Sequence, residues 1–199
     1  MSSQLSETEQ LIISKSKQLF YEEGNIKATC QEIADFSGVQ RTLVNYYFRS
    51  KDNLVKIAHT EIIAEMHEGM HGIYTGTTIP FEEKIERLID FTFTFKRKYP
   101  YFEVFNIIRS NNLMDENLFL KPQTTNEMRE FLKQIQEQMD NGVIQKSNPV
   151  NFVLNIFSLV SYPLVMKGIF KDVFDLSEGE FEQILQERKA LIKNLIFNK

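Results

Sequence analysis

Between residues 40 and 51 the chain gathers side chains suited to a polyanion: Gln40, Arg41, Thr42, Asn45, Tyr46, Tyr47 and Lys51. Arg, Gln and Asn carry donors and acceptors that reach base edges, and Thr and Tyr hydroxyls bond phosphate oxygens. Lys51 stands at an expected helix start, where a phosphate meets an ammonium and free amides together. Charge marks the same window. The whole chain is net −4, yet residues 36–60 hold Arg41, Arg49, Lys51 and Lys56 against Asp52 alone, a local net of +3. A protein acidic overall is not a bulk binder of nucleic acid, so recognition has to be local.

Other chemistry is thinner. His67 and His71 stand four apart, a metal-compatible spacing on a helix. Glu68-x-x-His71 is half of a helical di-iron motif, but the second half is missing. These histidines are therefore expected to be exposed or to face an effector, and no metal or other cofactor is expected. The single Cys30 allows no internal disulfide, and with no resolving partner it supports a redox sensor only weakly. No nucleophile motif and no Gly-rich phosphate loop is present, so an enzyme is not expected.

The elements that must carry the window are helical. Ser6-x-x-Glu9, Thr29-x-x-Glu32, Thr124-x-x-Glu127 and Ser177-x-x-Glu180 read as capping boxes. Leu11, Ile12, Leu19 and Phe20 form the inward stripe of a first helix ended by Gly24. Ile33 and Ala34 face inward from a second helix, which stops at Ser37-Gly38. A third spans about residues 40–47 with Leu43, Val44 and Phe48 inward. Ser50 caps a fourth, which buries Leu54, Ala58 and Ile62 and runs to about Ile73. Pro80 opens a fifth helix with Phe81, Ile85, Leu88, Thr92, Phe95 and Tyr99 on one stripe, ended by Pro100. Phe91-Thr92-Phe93-Thr94-Phe95 alternates like a strand, but its charged flanks are helical, so helix is expected with Phe on more than one face. Further helices cover about 101–112, a segment ended by Asn141-Gly142, an apolar one from Asn148-Pro149 to about 170, and the last. Pro163 should kink the apolar one. Its unbroken apolar run falls short of the about 20 residues of a membrane span. The N-terminus has no signal-peptide pattern. The expected fold class is all-α, about nine helices: an N-terminal three-helix lobe and a C-terminal bundle.

Three short helices with a tight second turn, Phe36-Ser37-Gly38-Val39, are a helix-turn-helix signature. Here the sequence resembles the tetracycline-repressor (TetR) family of bacterial transcription regulators. The resemblance lies in Thr29-x-x-x-Ile33-Ala34, in Gly38-Val39, and in Tyr47-Phe48-x-Ser50-Lys51-Asp52-x-Leu54, and it covers residues 8–58. It implies a homodimer, an N-terminal lobe on a double-stranded DNA operator, and a C-terminal lobe that binds a small effector and dimerises through its last two long helices. By position, Thr29, Gln40, Arg41, Thr42, Asn45, Tyr46, Tyr47 and Lys51 become the DNA-binding residues. Family members often have Ser, Gly and Tyr where Gln40, Thr42 and Asn45 stand. The operator sequence therefore does not carry over.

The expected division is residues 1–52 for DNA binding and 53–199 for effector binding and dimerisation. Aromatic-rich composition, 17 Phe and no Trp, suggests a largely apolar effector pocket lined by Phe91, Phe95, Phe102, Phe105, Phe131 and Phe157 with Ser161 as a polar anchor. The expected dimer seam is Phe152, Ile156, Val160, Ile184, Leu185, Arg188, Ile192 and Leu195. Together these imply a cytoplasmic, one-component regulator, a repressor by preference. The competing readings are a helical-bundle metal enzyme and a helical adaptor without DNA binding.

Overall fold

The computed structural model describes residues 5–76, 78–110 and 122–197. Ten α-helices follow in order: α1 Glu7–Lys17, α2 Cys30–Ser37, α3 Arg41–Phe48, α4 Lys51–Thr75, α5 Phe81–Lys98, α6 Phe102–Ser110, α7 Pro122–Asp140, α8 Pro149–Val165, α9 Lys167–Val173 and α10 Glu178–Phe197. No strand occurs among the described residues. The chain divides into two compact units, one of residues 1–66 with 98–119 and one of 67–97 with 120–199. The division falls inside α4, which is one uninterrupted helix.

The first unit follows its capping signals closely. Ser6 and Glu9 close a capping box on α1, and a π-helical turn, Gln18–Glu22, extends that helix. The inward stripe is Ile12, Ile13, Ser16, Leu19, Phe20 and Tyr21. Leu11, expected inside, is 42% exposed, because one step along a helix turns a side chain about 100° away from the seam. Gly24 stops the segment in the left-handed region. The core closes over Ile33, Ala34, Val44, Phe48, Leu54, Ala58 and Ile62, all at 2% exposure or less. Each such large side chain contributes roughly 1.5–3 kcal/mol by leaving water. His59 of α4 is fully buried there and shares a 2.7 Å hydrogen bond with the Tyr21 hydroxyl.

In the second unit the 91–95 segment is helical, with Phe93 and Phe95 buried and Phe91 half-buried. Gly69 of α4 makes room for Phe91: a Cβ there would overlap its ring. Pro80 precedes α5 instead of opening its first turn, and its carbonyl accepts the Lys84 amide. Thr124 is not a cap either, since α7 starts at Pro122. Gly142 ends the α7 segment at positive φ, and Asn148 caps α8 with Pro149 in its first turn. Ser177 and Glu180 cap α10 as the sequence requires.

Pro163 lies inside α8, while the axis breaks at Met166, where α8 and α9 meet at a 65° bend. Among the described residues no single helix is long and apolar enough to cross a membrane. Without an N–H, Pro163 cannot serve the carbonyl four residues back, that of Leu159. The Nε of Arg188, from α10, donates to that carbonyl at 3.0 Å. Arg188 thus fills the donor place the proline leaves open. Arg188→Met should cost about 1–3 kcal/mol of unfolding stability by orphaning this carbonyl. In a Pro163→Ala background, where an amide returns, the same change should cost much less. A double-mutant cycle by denaturant unfolding at fixed protein concentration checks it; equal costs in both backgrounds would refute the pairing.

Candidate nucleic-acid interface

The α2–α3 pair is fixed at three points. At the start of α2, Thr29 Oγ accepts the Glu32 amide at 3.2 Å, and Glu32 Oε2 accepts both the Thr29 amide and its hydroxyl at 2.7 Å. At the turn, Gly38 takes φ 68°, a left-handed geometry that costs glycine nothing. Its amide donates to Asp35 and that of Val39 to Ala34, the two bonds of a Schellman ending. At the far side, Val44 and Phe48 are 1% and 2% exposed, so the inward face of α3 is anchored in the core.

That anchoring decides what faces out. Gln40, Arg41, Thr42, Asn45 and Tyr46 are exposed. Arg41 with Asn45, and Thr42 with Asn45 and Tyr46, are three or four residues apart and share one side of the helix. Gln40 is the N-cap residue of α3, and its side chain makes no capping bond. Tyr46, 77% exposed, meets the edge of the half-buried Tyr47 ring at 5.2 Å. Leu43, expected inside, is 37% exposed, beside the outward polar face instead of beneath it. Two expected residues have internal work: the Thr29 hydroxyl is engaged in the capping box, and Lys51 Nζ donates to the Lys27 carbonyl at 3.3 Å.

Residues 12–57 match the family model described as bacterial regulatory proteins, tetR family. This segment is a TetR-family domain. No curated protein matches the chain. Solved structures extend the likeness through nearly all of it. The hemolysin II transcriptional regulator HlyIIR superposes with a TM-score of 0.64 at 18% identity, over 96% of this chain and 98% of that one. The TetR-family regulator PfmR from Thermus thermophilus gives 0.65 at 14%, over 92% and 97%. A TetR/AcrR-family regulator from Thermobifida fusca gives 0.59 at 19%, over 95% and 98%. The chain has the fold and the DNA-binding domain of a TetR-family transcriptional regulator.

The residues expected of the effector pocket are not all brought together. Phe102 and Phe105 belong to the first unit, where their rings lie against Tyr21 and His59, with Tyr21 and Phe105 centroids 4.5 Å apart. Phe91, Phe95, Phe131, Phe157 and Ser161 lie in the second. There the Phe91 and Phe95 ring centroids are 5.8 Å apart, and the Phe131 ring lies tilted against Tyr74 at 4.9 Å. A cavity of about 400 Å³ in that unit is lined by Phe152, Asn155, Leu159, Leu195 and Ile196, with Gln145, Lys146 and Ser147. Of the expected dimer residues, Phe152, Ile156, Val160, Leu185 and Ile192 are buried in their own unit, while Ile184 and Leu195 are exposed, along with Leu154 and Leu191.

Glu127 is the site residue the sequence concealed. It reads as a capping residue, but it is buried, with its Oε1 hydrogen-bonded to His71 Nδ1 at 2.8 Å and its Oε2 2.9 Å from His67 Nε2. The two histidines thus converge on one carboxylate. Among the described residues no three His, Cys, Asp or Glu side chains are arranged to hold a metal.

The Thr29 amide, then its hydroxyl, holds the Glu32 carboxyl below the ordinary Glu value. A depressed carboxyl contributes stability that is present above its unfolded pKa and lost as pH falls through its folded one. Thermal melting of the wild type should therefore fall as acid is added below the ordinary Glu range. Glu32→Gln, which keeps an acceptor for the cap but cannot titrate, should lose less over the same pH series. Parallel curves would show that the cap is not proton-linked.

Proposed function

We propose that this protein is a dimeric, one-component repressor that holds a palindromic operator and is released by a small, largely apolar effector. The observation that supports it most is the α3 face: Gln40, Arg41, Thr42, Asn45 and Tyr46 stand exposed on a helix whose other side is locked into a TetR-type domain. In this reading Arg41 and Gln40 reach base edges, Asn45 reads adenine, and the hydroxyls of Thr42 and Tyr46 bond phosphates. Tyr47 supports Tyr46, Thr29 fixes the start of α2, and Lys51 meets the backbone once it leaves the Lys27 carbonyl.

Dimerisation is proposed through α8 and α10, whose exposed Leu154, Ile184, Leu191 and Leu195 are an apolar surface. Two recognition helices then meet successive major grooves about 34–36 Å apart. Residues 1–52 act as the DNA-binding part and 53–199 as the effector and dimer part. The effector would lie among the aromatic side chains of the second unit. Because α4 is continuous from Lys51 to Thr75, a shift at its effector end carries to the end that follows α3. A coupling of about 1–3 kcal/mol between effector and operator suffices to change occupancy. Such a regulator works beside the bacterial chromosome, in the cytoplasm, without catalysis.

Duplexes selected from a random pool should be two-fold symmetric. Arg41→Ala and Tyr46→Ala should each weaken the selected duplex about 10- to 100-fold while leaving the fold intact by circular dichroism. Binding that is only non-specific, and indifferent to both changes, would instead favour an adaptor or an enzyme. Leu195→Glu should yield a monomer in analytical ultracentrifugation and lose operator affinity with it; a dimer that persists would place the seam elsewhere.

A further inference from the structure

The turn that joins α3 to α4 holds a strained arginine. Arg49 takes φ 60° and ψ −37°, one of two non-glycine residues at positive φ among the described residues. Across it the Ser50 amide donates to the Phe48 carbonyl at 2.7 Å. Arg49 is therefore the centre of a γ-turn of the rare, positive-φ hand. The turn is held from both ends. Phe48 before it and Leu54 after it are core residues. Asn53 Nδ2 donates to the same Phe48 carbonyl at 3.1 Å, and the Asn53 amide donates to Ser50 Oγ at 3.1 Å. Glycine would fill this position without strain, yet the chain keeps a long cation there.

That cation has no task among the described residues. Of the arginines whose side chains the structure describes, Arg87 pairs with Glu83, Arg97 with Glu182, Arg129 bonds Asn126, and Arg188 bonds the Leu159 carbonyl. The side chains of Arg41 and Arg49, both exposed, have no hydrogen bond or ion pair with a described residue. Both lie in the net-positive window of residues 36–60. A locally unfavourable geometry that is rigidly maintained, with no internal return, points to a ligand.

We propose that Arg49 is a phosphate clamp: its guanidinium engages the operator backbone beside the groove that α3 enters. This rests on the reading of α3 as the recognition helix. Base edges are reached from the N-terminal residues of such a helix, and Arg49 follows its C-terminus. A guanidinium fork pairs with two phosphate oxygens at once.

Arg49→Gly keeps the turn while removing strain and charge, Arg49→Lys keeps a charge, and Arg41→Ala reports on the recognition helix itself. Each is titrated against the selected duplex and a scrambled duplex of equal length over a salt series. Arg49→Gly should melt higher than the wild type yet bind both duplexes about 5- to 30-fold more weakly. Its slope of log affinity against log salt should fall by about 0.9, one phosphate, and Arg49→Lys should restore most of that slope. Wild-type affinity and slope in Arg49→Gly, with Arg41→Ala impaired, would overturn the clamp and leave the recognition helix standing. Loss on the selected duplex alone, at unchanged slope, would also overturn it, by placing Arg49 on a base. Wild-type binding by Arg41→Ala as well would overturn both readings.

Discussion

Everything proposed for this protein depends on the turn at Gly38. A left-handed residue there ends α2, and the Schellman bonds direct the chain at once into α3. With only Val39 and Gln40 between that glycine and α3, the orientation of α3 is set by backbone geometry. Val44 and Phe48 then bury one face of it. The exposed face is what remains, and its polar side chains are presented without needing partners of their own. The acidic balance of the chain is compatible with this, because the segment that the turn positions carries a local net positive charge, with Arg41, Arg49, Lys51 and Lys56 against Asp52.

The same logic of one local exception answered elsewhere recurs in the second unit. Pro163 removes an amide from α8, and Arg188 supplies the missing donor from α10. Gly69 removes a side chain from α4, and the Phe91 ring occupies the space. Glu127 buries a carboxylate, and His67 and His71 meet it. Each exception ties two helices together through a specific pair, which gives the bundle a register that apolar burial alone does not specify. Two of these ties are made to the His67–Thr75 end of α4, the end through which an effector would act.

The legible part of the fold was the part written in local chemistry. Capping boxes at Ser6, Thr29 and Ser177, the stops at Gly24, Gly38 and Gly142, and the Asn148-Pro149 start act within one helical turn, and all stand as read. Thr124 misled because a capping-box pattern is also satisfied inside a helix, and Glu127 found partners 56 and 60 residues away in the chain. Leu11 and Leu43 misled because periodicity locates a stripe only to within about one residue on its edge. Position in the chain puts Phe102 and Phe105 in the C-terminal effector part, but α6 packs with the N-terminal helices, a long-range contact that periodicity does not encode. The strained geometry of Arg49 leaves no mark in residue types at all.

The central claim, that α3 reads DNA as one half of a two-fold pair, is tested most directly by a crystal structure of the protein on a duplex selected from a random pool. The account predicts two protomers on one duplex, each with α3 in the major groove, Arg41 and Asn45 at base edges, and the DNA two-fold axis coincident with that of the dimer. A complex in which α3 faces solvent, or in which DNA lies on the second unit, would contradict it.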